Sequence, residues 1–194
     1  MSKSYVIVCN RPWFDNKISF LESVTKSKFH LIKDKDQLTF ERLVEISPKI
    51  IFFPFWSFII PEKLHKQFKC IIFHMTDVPF GRGGSPLQNL IIRGYTDTII
   101  SAIKCMKEVD SGPVYLKKPL NINGNAEEIY IRASDIMQNM IVDIILEELE
   151  PAEQKGSIVN FKRRKPDEGS WAKANTLGEI YNYVRMICGS LLMV

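Results

Sequence analysis

No run in the chain approaches the ~18 consecutive apolar residues of a membrane-spanning helix, and no membrane partner is expected. The four cysteines, Cys9, Cys70, Cys105 and Cys188, form no CxxC pair. Cys9, Cys70 and Cys105 sit inside apolar runs, which reads as buried free thiols in a reducing compartment rather than a disulfide framework. Three histidines, His30, His65 and His74, are scattered, and no HExxH or other carboxylate–histidine spacing joins them, so no metal site is expected. No GxxxxGK[ST] occurs, which excludes a P-loop. Excess charge of one sign is small: the net charge is +4, and much of it comes from Lys162-Arg163-Arg164-Lys165. That can attract a phosphorylated substrate but falls short of a nucleic-acid footprint, so no nucleic-acid partner is expected. Met1-Ser2-Lys3-Ser4 leads directly into Tyr5–Cys9, too short for a signal-peptide core, and the expected location is the cytoplasm. Internal repeats and low-complexity tracts are missing too.

What is present is ordinary globular composition, 45% hydrophobic and 25% charged over 194 residues. A chain of this length buries a sufficient core without staples. The expected division is a catalytic domain over 1–156 and a short extension, a basic loop plus helix, over 157–194.

Short β-rich runs alternate with helical patterns. Tyr5–Cys9, Phe29–Ile32, Lys49–Phe55 and Cys70–Met75 read as strands, with helices at Ile18–Val24, Thr39–Ile46 and Pro61–Phe68 between them. Continuous apolar strands imply burial on both faces, and the alternation implies a mostly parallel central sheet flanked by helices, an α/β, Rossmann-like class. Ser85 as N-cap, Pro86 at the first helical position and Gln88 as capping-box partner predict a helix that Gly94 ends. Thr98–Met106 and Val114–Leu120 follow as strands on either side of the turn Asp110-Ser111-Gly112-Pro113. Asn125 and Glu128 form a second capping box. It opens a long amphipathic helix whose stripe runs from Ile129 to Leu149 before Pro151. A last helix is expected from about Leu177 to Ile187.

His74 stands at the C-terminal end of a buried strand, where open α/β sheets place their ligand crevice. His30 and His65 have no such setting and read as structural or solvated. Free N–H groups at the Ser85 helix start, with Arg82 beside them, suit an anion. Asp110 reads as a turn residue or a functional carboxylate, with Asp77 and Asp97 as alternatives. The aromatic cluster at Phe55 and Trp56 reads as core or as the wall of a flat-ring pocket.

His74-x-Thr76-x-Val78-Pro79-x-x-Arg82-Gly83-x-x-Pro86 resembles the His-x-Ser-x-Leu-Pro-x-x-Arg-Gly-x-x-Pro motif of the folate-dependent formyltransferases. Asp110-x-Gly112-Pro113 is similar to that family's Asp-x-Gly-Pro. The stretch after Phe161 and the helix around Arg185 are similar to its later segments. The family includes enzymes acting on methionyl-tRNA, glycinamide ribonucleotide and nucleotide-linked sugars. Arg82-Gly83-Gly84-Ser85-Pro86-Leu87-Gln88 looks closest to the sugar-nucleotide members, some of which serve pseudaminic-type pathways. About twenty residues follow Trp171, which leaves little room for a tRNA-binding domain.

The resemblance implies the Rossmann-like formyltransferase fold and transfer of a formyl group from N10-formyltetrahydrofolate to the amine of a UDP- or dTDP-linked 4-amino-4,6-dideoxy sugar, for surface glycans. It implies His74 as the group that takes the amine proton and Asp110 as its orienting carboxylate. Phe55, Trp56, Ile59, Ile60, Ile103, Met106 and Asp110 would hold the folate. Thr76, Arg82, Gly83, Gly84, Ser85, Gln88, Asn89 and Trp171 would hold the acceptor. One departure stands out: Ile72 occupies the position where the family places an Asn that stabilises the oxyanion. Thr76 or a backbone N–H is then the replacement donor, or the protein binds folate or sugar nucleotide without catalysis. Formylation of another small amine and a generic phosphate-binding Rossmann module are the remaining alternatives. The apolar Leu191–Val194 and the Ile-rich helix leave a homodimer open.

Overall fold

The computed structural model describes residues 3–187; Cys188 and the apolar Leu191–Val194 lie outside the described residues. Its strands are β1 (Ser4–Val8), β2 (Lys28–Ile32), β3 (Ile50–Phe53), β4 (Cys70–His74), β5 (Phe80–Gly83), β6 (Asp97–Lys104), β7 (Val114–Asn121) and β8 (Val159–Phe161). Its helices are α1 (Ile18–Thr25), α2 (Phe40–Ile46), α3 (Glu62–Gln67), α4 (Pro86–Ile92), α5 (Ala126–Leu146) and α6 (Leu177–Arg185).

Six strands form one sheet in the order β2-β1-β3-β4-β6-β7. The pairs β1–β2, β1–β3 and β3–β4 are parallel. The far side of the sheet departs from the parallel pattern: β6 runs antiparallel to both β4 and β7. The chain leaves β4 at His74, makes β5 and α4, and re-enters β6 at the same edge, so Ile71 pairs with Lys104 and His74 with Ser101. Pro119 fits within β7 because β7 is an edge strand, where a missing N–H is tolerated.

Each strand of the parallel half sends alternate side chains to two cores. Tyr5, Ile7, Phe52, Ile71 and Phe73 face α1, α4 and α5, meeting Leu21, Leu87, Leu90, Ala133, Met137 and Ile141. Val6, Val8, Ile51, Phe53 and Cys70 face α2 and α3, meeting Leu43 and Leu64. Each fully buried aliphatic or aromatic side chain contributes roughly 1.5–3 kcal/mol, so this two-sided layer, not helix propensity, holds the short helices α1–α4 in place.

The capping box at Asn125 forms as expected: Glu128 N donates to Asn125 Oδ1 and Asn125 N to Glu128 Oε2, both at 3.0 Å. Helix α5 stops at Leu146, short of the expected Leu149. Glu148 turns left-handed at φ 48°, and Leu149 packs half-buried beyond the helix. The expected capping box at Ser85 does not form. Ser85 is left-handed at φ 51° and its side chain makes no cap bond. Instead its Oγ accepts from Arg164 N at 3.1 Å, and Gln88 Nε2 donates to Tyr130 at 3.2 Å. Tertiary partners win over the local motif.

Residues beyond 156 pack back on the domain. β8 pairs in parallel with β5, placing Phe161 in the larger core. Arg185 of α6 is buried and donates to Ile122 O at 2.6 Å. No described helix is long and apolar enough to cross a membrane.

Candidate active site

The apolar pleat of β4 sends Ile71 and Phe73 to one core and Cys70, Ile72 and His74 to the other face. His74 is thus the last strand residue at the C-terminal edge, and it is buried to 7% exposure. The loop that follows is tightly held. Ser101 Oγ donates to Thr76 O at 2.7 Å, Thr98 Oγ1 to Met75 O at 3.2 Å, and Lys117 Nζ meets Asp77 Oδ1 at 2.5 Å. Asp77 and Asp97 are both exposed, the latter accepting from Asn121. Neither faces His74 as Asp110 does.

The loop brings the Gly81 carbonyl to 2.7 Å from His74 Nε2. A carbonyl only accepts, so Nε2 carries the hydrogen. In the neutral ring Nδ1 is then the proton-accepting nitrogen, and it faces Asp110 Oδ2 at 3.4 Å. That carboxylate oxygen accepts from Gly83 N at 2.9 Å. Asp110 is 8% exposed, so the pair sits in a low-dielectric setting where charge–charge interactions are strong. The arrangement can hold a proton between imidazole and carboxylate and release it.

The Asp110 turn is shaped by backbone constraints. Asp110 itself is left-handed at φ 53°, a conformation that Asp tolerates better than most residues. A Cβ at Gly112 would collide with the Lys104 carbonyl, so only glycine lets the turn lie against β6. Cys105 lies beside this turn. Its thiol is pushed up to about 11 by burial first and by the Asp110 charge second.

Two amides of the glycine-rich loop and the Ser85 hydroxyl are taken by protein partners rather than left for an anion. Gly83 N donates to Asp110, Gly84 N donates to Phe161 O at 3.1 Å, and Arg164 N donates to Ser85 Oγ. Arg82, expected beside that anion, instead directs Nε and Nη2 to Gln154 Oε1 at 3.1 and 2.7 Å. Thr76 is fully buried, with its hydroxyl donating to Gly81 O at 3.3 Å. Asn89 is buried and stitches the loop, donating to Gly84 O, Ser85 O and Lys162 O, each at 3.0 Å. Trp171 stands exposed in the short turn before α6.

The aromatic pair after β3 is divided. Phe55, left-handed at φ 54°, turns into the larger core, edge-on to Trp13 at 5.2 Å and to Tyr130 at 5.7 Å. Trp56 joins Phe53, Ile60, Ile72 and Cys105 on the face that carries His74. The two aromatics are therefore not one wall: the left-handed turn at Phe55 sends it to one core and Trp56 to the other. Ile59 is 88% exposed, Met106 is exposed, and Ile103 is fully buried.

Two features escaped the sequence reading. Gln154 bridges the loops: besides accepting from Arg82, its Nε2 donates to Asp110 O and Gly112 O, both at 2.8 Å. Trp56 Nε1 and Asn10 Oδ1 are buried without a hydrogen-bond partner, both just past the C-terminal ends of strands. Buried polar atoms of that kind are rare. No group of three or more metal-ligating side chains occurs among the described residues.

No family model matches the chain. Over 161 residues it is 27% identical to the methionyl-tRNA formyltransferase of Thermodesulfovibrio yellowstonii, an alignment covering 79% of this chain and 52% of that protein. The chain thus spans about half the length of the curated relatives it matches. Among solved structures it is similar to the methionyl-tRNA formyltransferase from Clostridium thermocellum, with a TM-score of 0.91 and 42% identity over 96% of this chain and 84% of that one. The formyltransferase PseJ from Anoxybacillus kamchatkensis, solved with UDP-4,6-dideoxy-4-formamido-L-AltNAc and tetrahydrofolate, shares the fold at a TM-score of 0.68 and 15% identity. That likeness covers 93% of this chain and 97% of PseJ.

Proposed function

Because this chain belongs to the formyltransferase family, with its methionyl-tRNA formyltransferase-like fold, we propose that it is a cytoplasmic enzyme that moves the formyl group of N10-formyltetrahydrofolate onto a primary amine. The observation that carries this reading is the His74–Asp110 pair, held 3.4 Å apart and nearly dry at the C-terminal edge of the sheet.

The face around Trp56 suits a folate ring. It combines the apolar side chains of Trp56, Ile60 and Ile72 with a buried indole N–H that lacks a partner. Lys104 N and Cys105 N are spent on Pro113 O and Cys70 O, so the backbone edge open to a pterin begins at Met106. When bound, the folate supplies the activated formyl carbon. His74 takes the proton of the attacking amine at Nδ1. Asp110 balances the imidazolium charge, and Gly83 N–H keeps its carboxylate aimed at the ring. Ile72 offers no donor to a developing oxyanion, and the Thr76 hydroxyl is turned toward Gly81 O.

Two acceptors are in play. The Arg82–Gln88 sequence favours a nucleotide-linked 4-amino-4,6-dideoxy sugar, while the 42% identity to a methionyl-tRNA formyltransferase favours methionyl-tRNA. Both carry phosphates. The pairing of β8 with β5 sets the basic run beginning at Lys162 beside the Gly84–Ser85 loop, where Asn89 donates to Lys162 O and Arg164 N to Ser85 Oγ. The test is a formyl-transfer assay with N10-formyltetrahydrofolate, nucleotide-linked 4-amino sugars and methionyl-tRNA, read by mass spectrometry as gain of a formyl group. Transfer to one acceptor that disappears in His74→Ala upholds the reading. Folate binding with no transfer to any acceptor overturns it in favour of a binding protein.

A further inference from the structure

We propose that Gln154 is a positioning residue for formyl transfer. It clamps the loop carrying Arg82 and Gly83 to the turn carrying Asp110, and thereby fixes Asp110 against His74. The inference rests on the activity proposed above.

The Gln154 amide uses its full hydrogen-bonding capacity. Oε1 accepts twice from Arg82, and Nε2 donates to Asp110 O and Gly112 O. Its orientation is determined by its partners. A guanidinium only donates and a carbonyl only accepts, so a flipped amide would face like with like at every contact. The residue itself is anchored nearby, because Ala152 exchanges two backbone hydrogen bonds with Val114, at 2.7 and 2.9 Å. The side chain therefore ties β5 to the Asp110 turn, while the backbone two residues earlier pins the same segment to the start of β7.

Asp110 holds a left-handed backbone without being glycine. Such a conformation persists only where the surroundings fix it. Gln154 holds its carbonyl and Gly83 N–H holds its carboxylate. With the carbonyl released, the residue can relax and carry the carboxylate away from His74 Nδ1. Gln154 is half-buried and belongs to neither hydrophobic core, so the sheet does not depend on it.

The test compares wild type with Gln154→Ala, Gln154→Met and Gln154→Glu, using N10-formyltetrahydrofolate and either dTDP-4-amino-4,6-dideoxyglucose or methionyl-tRNA as acceptor. An NMR measurement of amide hydrogen exchange, which needs no substrate, accompanies the kinetics. All three variants are expected to lose about tenfold or more in kcat, with KM for the formyl donor within about threefold. Glu is expected to fail although it pairs well with Arg82, because its oxygen faces two carbonyls. Gly83 N–H is expected to exchange about tenfold faster in the Ala and Met variants, while β1 and β3 amides keep their protection. Unchanged Gly83 exchange overturns the clamp, as does wild-type kcat in any of the three variants. Uniformly faster exchange across the sheet overturns it in favour of a general stabilising role. If wild type formylates neither acceptor, the activity reading fails, and the Gly83 exchange still upholds or overturns the clamp.

Discussion

Gly83 donates its backbone N–H to Oδ2 of Asp110 at 2.9 Å, and this bond joins the loop after β4 to the turn after β6. The donor reaches that place with φ at 103°, and a Cβ there would lie 2.5 Å from the Phe161 carbonyl. A side chain at this position is strained twice, by backbone conformation and by contact with β8. Gly83→Ala is therefore expected to destabilise the protein by about 2–3 kcal/mol, read as a lower urea midpoint. Its formyl transfer, assayed where the variant is still folded, should fall as well. An unchanged midpoint would show that β5 and β8 separate freely.

His74→Ala and Asp110→Asn test the pair from its two sides. Removing a general base costs about a hundredfold to ten-thousandfold in rate, so His74→Ala should lose kcat on that scale while folate binding, followed by tryptophan fluorescence, changes little. Asp110→Asn is the subtler variant. Asn tolerates the left-handed backbone and its carbonyl oxygen still accepts from Gly83 N–H, so thermal stability should hold. The negative charge facing His74 Nδ1 is gone, and kcat should drop about a hundredfold. Wild-type kcat in Asp110→Asn would reduce Asp110 to a turn residue.

Both members of the pair were legible in the sequence, because each sits in a motif and His74 ends an apolar strand. Their geometry was not. The contacts that fix them come from Gly81 and Gly83, whose backbone groups carry no side-chain signal, and from Gln154, which lies between Glu153 and Lys155 in a polar, aperiodic stretch. Gln154 meets Arg82 and Asp110 across 72 and 44 residues of sequence. The Ser85–Gln88 pattern misled for a related reason: Arg164 and Tyr130, distant in sequence, take the groups a local cap would use. Hydrophobic patterning placed the strands yet could not show that β6 runs antiparallel, since direction depends on where the chain re-enters the sheet. It also could not show that neighbours Phe55 and Trp56 part to opposite faces.

The buried thiols give the fold an alkaline limit. Burial pushes Cys9 up to about 12 and Cys105 up to about 11, from an ordinary value of 9.0. A pKa raised by folding means that the native state holds more protons than the unfolded chain above pH 9.0. The stabilisation is complete below that value and is lost as pH rises toward the folded values. The urea midpoint is expected to be level from about pH 7 to 8.5 and to fall between about pH 9 and 11. Tyr115, pushed up to about 12, adds to the fall only above its ordinary value of 10.0. Cys9→Ala should make the slope shallower whatever it does to the midpoint at neutral pH. A level midpoint up to about pH 11 would contradict the burial of these thiols.

Ile72 is the sharpest departure from the family pattern, and its position makes it testable. It lies two residues before His74 on the same face of β4, half-buried, paired with Ile103 and packed beside Trp56. An Asn there loses apolar contacts and should cost about 1 kcal/mol in stability. In return it places an amide donor on the face where the formyl oxygen would gain charge. One such donor is worth about a hundredfold to a thousandfold in rate where nothing else supplies it. If wild type works without an equivalent donor, Ile72→Asn should raise kcat by about tenfold or more at little change in KM, Ile72→Leu should not, and the gain should vanish when His74→Ala is added. A variant no faster than wild type would mean that the charge is already held by another group. The partnerless Trp56 Nε1 is then the first to remove.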